Sequence, residues 1–227
     1  MDTGDRPRQD DRGIRVNSIW RTLSWLLMVL LSLGIAGYAA ALLMPSPMRS
    51  TFVDALLAER PVSTLAHFGG SALALAIGGF QLHPGLRRRL TSLHRWMGRL
   101  YVLGVALGGS AGLYMAWHAN GGVTGKLGFA LLAIGWLGFT ACGYFCIRAR
   151  QVDAHRRWMV RSFALTFAAV TLRLYIPASQ MAGIPFDSAY PVIAWLCWVP
   201  NLVLAELFAR DLKANARALQ LREGQAA

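Results

Sequence analysis

Four histidines, His67, His94, His118 and His155, fall within or at the ends of long apolar runs, together with Gln81 and Arg173. Ionisable groups at membrane depth are costly, so residues of this kind mark a functional site by default. They sort into two layers. His94 and His155 each stand in the first turn of an apolar helix on the basic side, with Gln81 ending another helix there. His67, His118 and Arg173 lie towards the opposite side. At 3.6 residues per turn, His67 and Gln81 share one helix face, as do His155 and Arg173, whereas His94 and His118 do not.

The chemistry that two imidazoles at one depth would perform is the ligation of haem b, with nearby cations for the propionates. His94 and His155 meet the depth requirement and are the expected iron ligands, with Arg95, Arg99 and Arg161 placed for propionates. His67 with His118 would form a second pair, with Arg173 as counter-charge. Electrons would then pass between the layers, at potentials set by ligand type, burial and hydrogen bonding. Structural uses of the same residues stay open. His94 and His155 can reach towards lipid phosphates, and His67 can satisfy a backbone carbonyl. A third reading is a small-molecule carrier whose inter-helix cavity is lined by His67, Gln81, Tyr101 and Arg173, and a fourth a non-catalytic assembly factor.

No catalytic set is apparent: no His-Glu-x-x-His, no phosphate-cradling glycine loop, no nucleophile triad. No carboxylate lies well within the first five apolar helices, so a carboxylate proton relay is not expected, and Glu206 ends the sixth. His83, in His-Pro-Gly, reads as part of a turn. Cys142, Cys146 and Cys197 lie in apolar runs at spacings that give neither a disulfide framework nor a paired metal motif.

The elements that must position these residues are membrane helices. Hydrophobic residues make up 55% of the 227 and charged residues 15%, against about 25% charged in soluble domains. The apolar residues come in blocks, and about 20 of them cross the hydrocarbon of a bilayer. The pattern predicts an all-α, polytopic bundle of six transmembrane helices over 20–209, with its core at 63–180, a polar N-terminus at 1–19 and a polar tail at 210–227. The helices are expected at about 20–44 (stopped by Pro45-Ser46-Pro47), 63–82 (capped by Ser63 or Thr64), 92–118, 126–147, 153–179 and 190–209, with an interfacial stretch around 52–57. The N-terminal segment lacks an apolar core, and the first run is too long for a signal peptide.

Nineteen of the 23 Lys and Arg residues fall on one side of this arrangement, which predicts both termini in the cytoplasm. The net charge of +12 therefore belongs to topology and anionic headgroups, and nucleic acid is not an expected partner. Membrane lipid is, with a quinol or redox protein and a second copy of the chain as the others in view. The segment His94-Arg95-Trp96-Met97-Gly98-Arg99 resembles His155-Arg156-Arg157-Trp158-Met159-Val160-Arg161 with one residue inserted. This predicts parallel repeats, helices two–three and four–five, and His94 and His155 at one depth. The crowded glycines of helices two to four either let backbones approach or leave room for a flat cofactor.

His67-Phe68-Gly69-Gly70 with Gln81, then Leu93 to Tyr101, then His155 to Ser162 and Arg173, resembles an uncharacterised bacterial family of predicted membrane proteins, a domain of unknown function. The resemblance covers roughly 60–180 and implies a multi-pass protein of the bacterial plasma (inner) membrane, with no assigned activity. More distantly the chain is similar to transmembrane di-haem cytochromes b, in which four core helices carry histidines in two layers. It differs from that pattern in its fourth helix, which has no histidine.

Overall fold

The computed structural model describes residues 8–44, 49, 51–207 and 209–210. The expected Pro45-Ser46-Pro47 stop and most of the C-terminal tail lie outside them. Among the described residues the regular structure is all helical: α1 (Arg8–Ala41), α2 (Thr51–Glu59), α3 (Pro61–Gln81), α4 (Pro84–Arg89), α5 (Thr91–Ala116), α6 (Gly122–Arg148), α7 (Val152–Thr166), α8 (Ala168–Met181), α9 (Phe186–Leu196) and α10 (199–207).

Among the described residues, five segments are long and apolar enough to cross a membrane: Ile19–Ala41 within α1, α3, α6, α7 with α8, and α9 with α10. At 26 residues α5 has the length, about 39 Å at 1.5 Å per residue. His94, Arg95 and Arg99 occupy its first turns and glycines dilute the rest. The outer surface of the bundle is greasy, with Leu26, Leu27 and Leu30 of α1, Leu103 and Leu107 of α5, and Leu131 and Ile134 of α6 exposed. That is the inverse of a soluble surface and suits contact with lipid.

Helices α3, α5, α6 and α7 form the central group, with α3 on α5 and α6 on α7 the most extensive pairs. These are the pairs that the repeated motif predicts. The α3–α5 crossing is built from backbone. A Cβ on Gly70 would stand 2.6 Å from the Gly108 nitrogen, and one on Gly104 2.8 Å from the Gly70 oxygen. Other glycines are filled by side chains: Gly78 by Phe163 and Tyr101, Gly109 by Leu137, and Gly112 by His67. At these positions the glycines serve close packing and leave no slot for a planar cofactor.

The helix starts differ from expectation where proline intervenes. α3 begins at Pro61, whose missing N–H suits a first helical position. Ser63 and Thr64 are inside the helix instead, both donating to the Arg60 carbonyl, with Thr64 also donating to Leu56. A short helix, α4, occupies the expected basic loop, with His83 Nδ1 accepting from the Gly85 N–H at 3.2 Å. Gly121, at φ 88°, turns the chain into α6 against the ring of Pro191, a backbone state for which glycine carries no steric cost. The expected fifth helix is interrupted at Phe167 and the sixth at Cys197–Trp198.

Candidate functional site

Successive long helices alternate in direction, so one end of the bundle carries α4, the start of α5 and the start of α7. Here the repeated motifs meet. His94 lies within electrostatic reach of His155, Arg87 and Arg95, and Arg87 within reach of Arg156 and Arg88. Burial, with Arg156 and Arg88 beside it, pulls the Arg87 guanidinium below the usual arginine range. The carboxylate that pairs here is Asp153, 3.8 Å from Arg156 and well exposed. His94 Nδ1 and Arg156 Nε are buried without a hydrogen-bond partner, although buried donors are ordinarily satisfied. Gln81 joins this end by donating to the His94 carbonyl at 3.3 Å.

His155 is held differently from His94. Its Nδ1 lies 2.8 Å from the Gly143 carbonyl on α6. A carbonyl only accepts, so Nδ1 carries a proton, and in the neutral ring Nε2 is the nitrogen with the lone pair. Arg99 stacks on Trp96 at 4.8 Å and Arg161 on Trp158 at 4.7 Å, so the Trp–Arg halves of the two motifs adopt the same local geometry. The inserted residue turns His155 by about 100° relative to its stack, which is why one histidine reaches a neighbouring carbonyl and the other does not. Arg161 is not available for propionates: it is engaged by Glu206 of α10 through two hydrogen bonds, Nε to Oε1 and Nη2 to Oε2, the latter 2.8 Å.

Midway along the bundle is a closed hydroxyl cluster. Tyr101 Oη lies 2.8 Å from Ser162 Oγ and 2.7 Å from Thr166 Oγ1. Trp136 Nε1 donates to Thr166 Oγ1 at 2.8 Å, and Thr140 Oγ1 lies 2.7 Å from Ser162 Oγ. All five side chains are buried, on α5, α6 and α7. Tyr101 is therefore a core residue and lines no shared cavity with His67, Gln81 and Arg173. Sequence reasoning missed Trp136, Thr140, Ser162 and Thr166, which read as ordinary packing residues. One signal was present: Tyr101 follows His94 by seven residues, and Ser162 follows His155 by seven.

At the opposite end His67 turns towards α5, with Nδ1 2.8 Å from the Gly108 carbonyl and its ring over Gly112. Arg173 of α8 lies within electrostatic reach of it. Its guanidinium sits 5.7 Å from the Tyr38 ring of α1 and donates to Ala169 O at 3.2 Å. His118, in the turn just after α5, is exposed, its ring against Tyr114 and its Nδ1 near the Tyr114 carbonyl. It makes no contact with His67 among the described residues. The structure thus brings together His94 with His155 and Gln81, and His67 with Arg173, and leaves His118 at the surface.

A family model described as Predicted membrane protein (DUF2306) matches residues 64–209, the stretch that contains both motifs, the hydroxyl cluster and Arg173. No curated protein and no solved structure matches the chain.

Proposed function

The chain belongs to the predicted membrane protein family DUF2306, and from that premise we propose that it is a membrane-embedded binding protein that takes an anionic, phosphate- or carboxylate-bearing group at the α4 end. The observation that carries this reading is the pair of buried nitrogens without a hydrogen-bond partner, His94 Nδ1 and Arg156 Nε, in a cluster where Arg87, Arg88 and Arg95 add positive charge and Asp153 is the paired acid. An oxyanion there would accept from the Arg156 Nε–H and from His94 in its Nδ1–H tautomer, and neutralise charge that the protein leaves uncompensated. We count α5 as the sixth span. The excess of Lys and Arg on this side supports a cytoplasmic α4 end and cytoplasmic termini, and we take the membrane to be a bacterial inner membrane.

The test is a thermal-unfolding series on the purified full-length protein with inorganic phosphate as the probe, repeated with phosphatidylglycerol to separate a free anion from a lipid headgroup. A ligand that binds only the folded state raises the midpoint with its concentration. The rise is expected for the wild type and is lost in Arg87→Gln and Arg156→Gln. A midpoint indifferent to both probes, or a rise that both variants retain, would defeat the reading.

A second reading, haem b between α5 and α7, is favoured by one observation: His94 and His155 stand at the same end of facing helices, with the proton of His155 committed to Gly143. Such an anchored Nδ1–H is the usual partner of an imidazole that ligates through Nε2. Gly98, on the face of α5 that carries Val105, has open space beside it. Bound there, haem would supply one-electron chemistry, and His94 and His155 would hold it. Absorbance spectra of oxidised and reduced protein, made with ample haem supply, decide this. A stoichiometric Soret band lost in His94→Ala and His155→Ala supports it, and a colourless wild type excludes it.

A further inference from the structure

Arg173 occupies a place that topology does not explain. It lies eight residues before Met181, about 12 Å along the axis from the end of its span, and His67 lies six residues after Pro61, about 9 Å from the same end. An arginine at that depth can relieve its cost by extending to the nearer headgroups. Arg173 does the reverse. Its Nη1 donates back to Ala169, one turn deeper into the bundle, beside the closed apolar cluster of Ala36, Leu75 and Val170. The Tyr38 ring holds the guanidinium there by a cation–π contact. Among the described residues no carboxylate pairs with it, and most of its five donors are unspent.

The neighbouring histidine offers the complementary function. His67 Nδ1 is committed to the Gly108 carbonyl, so Nε2 carries a lone pair and accepts. A donor-rich cation and a neutral acceptor, both half-buried, are thus within electrostatic reach of each other, and Tyr38 is 40% exposed beside them, so the site opens towards the bilayer. The pair matches the two ends of a carboxylic acid: the guanidinium takes the C=O, and Nε2 takes the O–H. The uncharged acid is also the form that dissolves in hydrocarbon. We infer that Arg173, His67 and Tyr38 form a second binding site, distinct from the α4 end, for the acid head of a lipophilic carboxylic acid drawn laterally from the membrane.

The test uses purified full-length protein in a non-ionic detergent, with oleic acid as the probe and methyl oleate as the control that lacks the acidic proton. Oleic acid is expected to bind at least about tenfold more tightly than its ester, because only the acid has an O–H to give to Nε2, whereas the ester keeps the carbonyl that Arg173 takes. His67→Phe is expected to remove that preference, and Arg173→Gln to weaken acid and ester alike, while the response to inorganic phosphate at the α4 end persists. Equal binding of acid and ester by the wild type overturns the site without needing any variant to fold. So does a His67→Phe protein that keeps the preference. Displacement of oleic acid by stoichiometric phosphatidylglycerol overturns it in favour of a phospholipid headgroup.

Discussion

Tyr101 and Ser162 meet at 2.8 Å across the centre of the bundle, each seven residues after a histidine of the repeated motif. Seven residues are nearly two helical turns, so each hydroxyl lies on the same face as its histidine and about 10.5 Å further along. The contact therefore fixes the rotation of α5 against α7. It also means that His94 and His155 leave their helices on facing surfaces.

Replacing Tyr101 by Phe removes a hydroxyl that Ser162 and Thr166 both face. The expected loss is about 1–3 kcal/mol of stability, because the remaining buried hydroxyls are left short of a partner. Thermal unfolding in detergent measures it. A midpoint equal to that of the wild type would mean that the hydroxyls re-pair without Tyr101.

The α3–α5 crossing should tolerate no side chain. A Cβ at Gly108 would stand 2.9 Å from the Ser71 nitrogen, and a backbone cannot swing aside as a rotamer can. Gly70→Val and Gly108→Val are expected to prevent accumulation of folded protein, whereas Gly138→Ala, with nothing within 4 Å, should leave it unchanged. Yield and size-exclusion profile distinguish the cases.

Arg161 and Glu206 tie α7 to α10, with side-chain exposures of 17% and 37%. At that exposure screening reduces the pair, so Arg161→Ala and Glu206→Gln are each expected to cost about 1–2 kcal/mol. The double variant should cost clearly less than the sum, which a double-mutant cycle reads directly. Simple additivity would count against any coupling between the two.

Ser92 at the start of α5 and Gly183 after α8 lie at opposite ends of the bundle. In a background with Cys142, Cys146 and Cys197 replaced by Ala, Gly183→Cys should react with an impermeant maleimide on intact cells, and Ser92→Cys only after lysis. The reverse pattern would invert the proposed orientation.

The long helices were legible because blocks of apolar residues between turn signals have few alternatives. Their interruptions were not. Neither Phe167 nor Cys197–Trp198 contains a proline or glycine; at Phe167 the neighbouring Thr166 and Thr171 hydroxyls donate to backbone carbonyls of their own helix. Such bonds are known to bend helices and have no composition signature. The same interruption breaks the rotational count that joined His155 to Arg173. The layers of the candidate site were readable from depth alone. The partners were not, because carbonyl acceptors such as Gly108 and Gly143 look like any other residue in a sequence. Tyr38 gave no signal at all as the ring beneath Arg173.

The hydroxyls of Thr140, Ser162, Tyr101 and Thr166 form a single row. It starts at the Trp136 carbonyl, which Thr140 faces at 2.7 Å, and ends at the Ser162 carbonyl, which Thr166 faces at 3.0 Å. Between those ends lie Thr140–Ser162, Ser162–Tyr101 and Tyr101–Thr166. Two end links and three inner ones make five, and four hydroxyls supply four protons. One link is therefore always vacant. Turning a single hydroxyl shifts the vacancy by one place, so the protons of this core have several arrangements within one fixed set of heavy atoms. The row can reverse its dipole by bond rotations alone, while the backbone around it stays still.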